Sequence, residues 1–143
     1  MSKIIDDELR AAFVAVADVL IPADGEMPAA STADVGGPTL DRILSLRDDL
    51  KEAFFRGLRA IAGKDPAIAA RTLSSEDPKA LAAIGLVAAA AYYISPKIRK
   101  LINYPGQEKR AFDADATPDY VQNGMLQQVI DRGPIFRPTP RLT

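Results

Sequence analysis

The 143-residue chain contains no cysteine, no histidine and no tryptophan. Without cysteine there is no disulfide, no thiolate nucleophile, no iron–sulfur ligation and no covalent haem attachment. Without histidine the commonest general base and the commonest metal ligand are both missing. Any catalysis would have to rest on Asp, Glu, Lys or Tyr. An excess of one charge is also lacking: 18 basic and 19 acidic residues leave a net charge of −1, which supplies no bulk attraction to nucleic acid. The start of the chain has only Ile4 and Ile5 between Lys3 and the acids Asp6, Asp7 and Glu8, so the apolar run of a secretion signal is absent. As it stands the chain reads as cytoplasmic, or as periplasmic if a leader has been removed or if it is exported together with a partner.

The most conspicuous stretch present is Leu81 to Ile94, alanine-rich and uncharged, with Ile84, Leu86, Val87 and Ile94 as its bulky members. A helix apolar on every side is buried or lies in a membrane. This run is well short of the ~20 residues that span a bilayer, so it predicts a central core helix over about 78–94. Asp77-Pro78 supplies its N-cap and first-turn proline.

The other elements follow from the helical period. Leu9, Phe13, Val16 and Leu20 form one stripe of a first helix from about Asp6 to Leu20, which Pro22 ends. Residues 21–38 hold three prolines and three glycines and read as a long loop, with a short turn near Ser31 to Val35. Thr39 is the expected cap of a second helix, Leu40 to about Ala62, on which Leu40, Ile43, Leu44, Leu50, Phe54, Leu58 and Ile61 fall in phase. Asp65-Pro66 opens a short helix to about Arg71, and residues 73–78 read as a connector. Ser95-Pro96 opens another, Lys97 to Asn103. Pro118 to about Asp131 reads as a helix weakened at Gly124, with Tyr120, Val121, Met125, Leu126, Val129 and Ile130 as a buried face. No stretch reads as a strand. The expectation is an all-α protein: a small irregular helical bundle, with long Pro/Gly-rich loops, as one domain over 1–132, and an extended proline-rich tail over 133–143.

Candidate sites are few. Asp113, Asp115 and Thr117 begin like a calcium loop, but Pro118 and Gly124 stand where that loop needs Gly and Glu, so the segment reads as a surface turn. Gly36-Gly37 precedes a helix without a preceding strand, which excludes a dinucleotide phosphate loop. Tyr92 and Tyr93 either bring a phenol to a substrate or fill core with locally satisfied hydroxyls. Lys97, Arg99, Lys100, Lys109 and Arg110, near Tyr104, Glu108 and Phe112, form a basic cluster suited to phosphate, an acidic partner or solvent. The proline-rich segments 21–38 and 133–143 read either as mobile or as ordered against a second protein. No catalytic, cofactor-binding or metal-ligating residue is identified.

Leu20-Ile-Pro-Ala-Asp24, followed by a Gly/Pro/Ala-rich loop reaching Gly36, resembles the opening of the gluconate 2-dehydrogenase subunit 3 family. Tyr104-Pro105-Gly106, after an Ala/Tyr-rich helix and Ser95-Pro96, is similar to a later element of that family, so the likeness covers about residues 8–110. The resemblance implies a small helical accessory subunit that assembles, stabilises or exports a large subunit of the glucose–methanol–choline oxidoreductase class. That partner holds FAD and the active site, and a cytochrome c subunit often takes the electrons. It further implies that this chain carries no cofactor of its own and enters no membrane. Family members commonly carry a twin-arginine signal, which this sequence does not show. The expected partner-binding residues are Pro22, Asp24, Tyr104, Pro105, Gly106, Phe136 and Arg137. Two alternatives remain on the sequence: a stand-alone helical adaptor or regulator, and a small enzyme built on Asp and Tyr.

Overall fold

The computed structural model describes residues 5–109, 116 and 118–135. Among them the chain forms helices α1 (Asp7–Leu20), α2 (Pro38–Leu46), α3 (Asp48–Ile61), α4 (Pro66–Glu76), α5 (Pro78–Ile94), α6 (Pro96–Leu101), α7 (Asp119–Gln122) and α8 (Gln127–Arg132). A single 3-10 turn, Ser31–Ala33, lies between α1 and α2. No strand occurs among the described residues; one isolated bridge joins Asp24 and Met27. The protein is all-α.

Three of the described helices, α1, α4 and α5, begin where a short acidic side chain meets the orphan N–H groups of a first turn. Asp6 accepts from Leu9 N at 2.8 Å and opens α1. Asp65 accepts from Ala67 N and Ile68 N, each at 3.0 Å, and opens α4. Asp77 accepts from Ala80 N at 3.1 Å and opens α5. Pro66 and Pro78 occupy the first turns behind the latter two, where the missing N–H costs nothing. Thr39 is not a cap: Gly37 precedes α2 and Pro38 is already helical.

Helix α6 spans Pro96–Leu101 in place of the expected Lys97 to Asn103, and three other helices differ more. The expected helix from Leu40 to Ala62 is two, divided at Arg47, whose φ −122° and ψ 68° leave the helical region. Asp48 and Asp49 then sit in the first turn of α3, where the helix dipole favours acids. Helix α4 runs on to Glu76 and absorbs most of the expected connector, because Leu73 is buried and continues its inward face. The expected helix from Pro118 to Asp131 is broken at Gly124, which adopts φ +83°, and nothing on α7 or α8 is buried. Tyr120, Val121, Met125, Val129 and Ile130 are exposed, so the buried face expected there does not form among the described residues.

Helix α5 is central, packing against α1, α2, α3, α4 and α6. Its buried residues are Ala80, Ala83, Ile84, Val87, Ala88, Ala91 and Tyr92. Small residues set the closeness of that packing. A Cβ on Gly57 of α3 would meet Ala80 Cβ at 2.9 Å and Ile84 Cδ1 at 3.0 Å. Phe13 of α1 and Phe54 of α3 are buried in the same core, with ring centroids 5.4 Å apart. No polar or charged side chain is buried among the described residues. The sequence suggested one domain as far as residue 132; the chain parts into two compact units, Met1–Gln107 and Glu108–Thr143.

Candidate functional site

The loop after α1 is held by its own chain. Ile21 N donates to Ala17 O at 2.8 Å and closes the helix, and Ala30 N returns to Ile21 O at 3.1 Å. Asp18 of α1 accepts from Ser31 N at 2.7 Å. Ala30, Ala33 and Val35 are buried in the core. The segment therefore belongs to the domain, in place of the mobile or partner-ordered segment expected from its prolines.

Gly36 anchors the far end of this loop. A Cβ there would meet Val14 Cγ2 at 2.5 Å, so only glycine lets the loop lie against α1. Arg10 Nη1 donates to the Gly36 carbonyl, and Arg10 Nη2 donates to both oxygens of Asp41, at 2.9 and 2.8 Å. This ion pair, made through one guanidinium nitrogen, fastens α1 to α2 across the loop. The glycine of the LIPAD…G pattern thus has a full structural explanation within this chain.

Pro22 and Asp24 are different. Both are exposed, on a tight turn in which Asp24 and Met27 exchange backbone hydrogen bonds of 3.0 and 2.9 Å around Gly25 at φ +55°. The Asp24 carboxylate engages nothing among the described residues. The turn is presented outward while the chain on either side of it is anchored.

Tyr92 and Tyr93 separate sharply. Tyr92 is buried, and its hydroxyl donates to the Pro28 carbonyl at 2.7 Å. Burial raises its phenol above the usual value of 10.0, with Tyr93 adding to the shift. Tyr93 stands edge-on to it, centroids 5.3 Å apart, and faces outward. Tyr92 is thus a structural group with no access to a substrate.

The central helix is not covered on all sides, contrary to the expectation from its uniform apolarity. Leu86, Tyr93 and Ile94 are 47%, 55% and 48% exposed. Ala82, Leu86, Ala89 and Tyr93 recur at helical spacing, so they make one uncharged stripe along α5. Leu20 of α1, itself exposed, lies beside it, its Cδ1 3.9 Å from where a Gly85 Cβ would be. Leu86 and Ile94, expected in the core, belong to this open face. Sequence periodicity does not reveal which side of an all-apolar helix remains uncovered.

At the far end of α5 the chain turns into α6 and then into Tyr104-Pro105-Gly106. Helix α6 ends in a Schellman motif: Tyr104 N donates to Arg99 O at 2.8 Å and Asn103 N to Lys100 O at 3.1 Å, with Asn103 at φ +53°. The turn that follows folds back over Arg99. Arg99 Nη2 donates to the Pro105 carbonyl at 3.2 Å, and the guanidinium carbon lies 5.9 Å from the centre of the Tyr104 ring. Gly106, at φ +86°, approaches so closely that a Cβ would meet Arg99 Nη2 at 2.7 Å. Arg99, Lys100, Asn103, Tyr104 and Pro105 line a depression of about 410 Å³.

No hydrogen bond or ion pair joins the Pro22–Asp24 turn to the Tyr104–Gly106 turn among the described residues. Phe136, Arg137, Arg110, Phe112, the Asp113–Thr117 stretch apart from Ala116, and the tail beyond residue 135 lie outside the described residues. No group of three or more Asp or Glu suited to a metal ion occurs among the described residues, and no described helix is long and apolar enough to cross a membrane. The chain matches no protein-family model, no curated protein and no solved structure.

Proposed function

We propose that this chain is a non-catalytic subunit that binds and stabilises a larger oxidoreductase, a FAD-dependent sugar or alcohol dehydrogenase of the glucose–methanol–choline class. The observation that carries the binding part of this reading is the open apolar stripe of α5. A central helix whose inner face organises the domain leaves Leu86, Tyr93 and Ile94 about half exposed. Fully burying a side chain of this size contributes about 1.5–3 kcal/mol, so covering what remains of each adds roughly 1 kcal/mol. A partner seated there would stabilise both proteins without any chemistry in this one. The flavoprotein part rests on the Leu20–Asp24 and Tyr104–Gly106 resemblances. A cytochrome c subunit in the same assembly, and export of the assembly to the periplasm, belong to that same reading.

The test is co-purification from the native host with a tag on this chain, reading the eluate for flavin absorbance. Wild type should carry stoichiometric flavin in a larger co-eluting chain. Leu86→Lys, at an exposed position, should leave the melting temperature of the isolated chain unchanged and lose that partner. A co-eluting chain without flavin would replace the dehydrogenase reading with an adaptor role, and retention of the partner by Leu86→Lys would remove α5 from the interface.

A further inference from the structure

Among the described residues three arginines are fixed by acids, whereas Arg59 and Arg99 lie over aromatic rings, those of Phe55 and Tyr104. Arg10 holds Asp41, Arg47 holds Asp49 and Arg56 holds both Asp77 and Glu52. Arg99 is held by the Pro105 carbonyl and the Tyr104 ring, with Gly106 leaving room beside its Nη2, and no carboxylate among the described residues reaches it. Its Nε is buried without a hydrogen-bond partner, and Nη1 makes no hydrogen bond among the described residues. The surrounding sequence offers no acid: Pro78 to Gln107 contains Lys79, Lys97, Arg99 and Lys100 and not one Asp or Glu. Cationic side chains near a helix C-terminus suit its dipole. That accounts for Lys100, but not for a guanidinium held by both a carbonyl and a ring.

We infer that Arg99, seated by the Tyr104–Gly106 turn with Lys100 beside it, is a binding site for a single carboxylate, supplied by an acidic side chain of the partner protein that covers α5. The inference rests on the reading of this chain as a partner-binding subunit and names the chemistry that one end of the interface requires. A planar guanidinium fork matches a planar carboxylate. Its rotamers are already restricted, so little side-chain entropy is lost on binding. The neighbourhood suits a protein surface: Tyr93, Ile94, Leu101, Ile102 and Tyr104 are exposed around the α5–α6 corner and would pack on apolar side chains flanking the acid. On this account Tyr104-Pro105-Gly106 positions Arg99 and does not itself contact the partner's acid. The ring restricts the guanidinium, the Pro105 carbonyl orients Nη2, and Gly106 leaves it room.

The experiment uses the isolated chain with labelled arginine, following side-chain nitrogen and carbon resonances by NMR while N-acetylglutamate α-methylamide, which carries one carboxylate, is titrated in. A parallel titration uses inorganic phosphate. The expected result is a saturable shift at Arg99 with the carboxylate, lost in Arg99→Gln. Gly106→Ala should weaken it at least threefold, because the added methyl displaces the guanidinium. A linear shift of equal size at Arg59 and Arg99 would overturn the site, as would saturation by phosphate with none by carboxylate. The outcome does not depend on a flavoprotein. Carboxylate binding without flavin in the co-purified eluate keeps the site and rejects the dehydrogenase, whereas a flavin-bearing partner without carboxylate binding does the reverse.

Discussion

The Tyr92 hydroxyl donates to the Pro28 carbonyl at 2.7 Å across 64 residues of chain. It joins the end of the central helix to the loop that follows α1. Neither the short 3-10 turn Ser31–Ala33 nor the Asp24–Met27 bridge satisfies that carbonyl, so the tyrosine does. This contact adds to those of Asp18 with Ser31 N and Arg10 with the Gly36 carbonyl, and to the burial of Ala30, Ala33 and Val35.

Removing that hydroxyl leaves the carbonyl unpaired. Tyr92→Phe should cost about 1–2 kcal/mol, seen as a lower melting temperature with unchanged helicity by circular dichroism. The pH dependence has a definite sign. Burial raises the folded-state pKa of Tyr92 above its ordinary 10.0, so the folded state keeps the proton longer than the unfolded one. The stabilisation is complete below pH about 10 and is lost as pH climbs through the folded value. Thermal melts across the alkaline range should fall less steeply for Tyr92→Phe. Equal slopes would mean that Tyr92 titrates alike in both states.

Ile84 and Leu86 are two residues apart on α5 and face opposite environments. Ile84 is fully buried and Leu86 is 47% exposed. Ile84→Asp places an unpaired carboxylate in the core at a cost of several kcal/mol, a large part of a typical ~5–15 kcal/mol stability. It should abolish folding. Leu86→Asp should give a folded protein whose melting temperature lies within a few degrees of wild type. Similar outcomes for both variants would place the wrong face of α5 in the core.

The glycines Gly57 and Gly85 should respond oppositely to alanine. Helix propensity favours Ala over Gly by about 1 kcal/mol at either position. At Gly85 a Cβ meets only Leu20 Cδ1 at 3.9 Å, an ordinary contact, so Gly85→Ala should raise the melting temperature. At Gly57 it would lie 2.9 Å from Ala80 Cβ, and overpacking costs about 1–3 kcal/mol. Gly57→Ala should therefore lower the melting temperature, and Gly57→Leu should prevent α3 from docking. A more stable Gly57→Ala would show that α3 and α5 separate easily.

Asp77 works at two places, capping α5 and holding Arg56 of α3 at 2.7 Å. The Arg56 hydrogen bond, and after it the Ala80 N–H, lower its carboxyl below the ordinary 3.8. A depressed folded pKa gives stability that is present above the unfolded value and is lost as pH falls through the folded one. As pH falls below about 5 the melting temperature of wild type should fall more steeply than that of Asp77→Asn. Parallel curves would remove Asp77 from the acid sensitivity of the fold.

Local chemistry wrote much of this protein in advance. Asp77-Pro78 and Asp65-Pro66 announce helix starts because a short acid and a fixed φ are what a first turn lacks. The division at Arg47 was also present as a gap in the inward series from Leu44 to Leu50, with the acids Asp48 and Asp49 inside it, though the apolar series reads as one helix when its period alone is followed. Leu73 shows the reverse: a polar-looking connector becomes helix because a single buried leucine continues the inward face. The break at Gly124 was foreseen only as weakness, since how far a glycine departs from the helix depends on whether neighbours pack around it. What the sequence could not contain is sidedness. Every face of α5 is apolar, so only the positions of its neighbours decide that Ile84 is enclosed and that Leu86 and Tyr93 are open. Nor could it show that Arg99 is clamped. That depends on a left-handed Asn103 and a close approach at Gly106, contacts that come into being only when α6 ends and the chain turns back upon it.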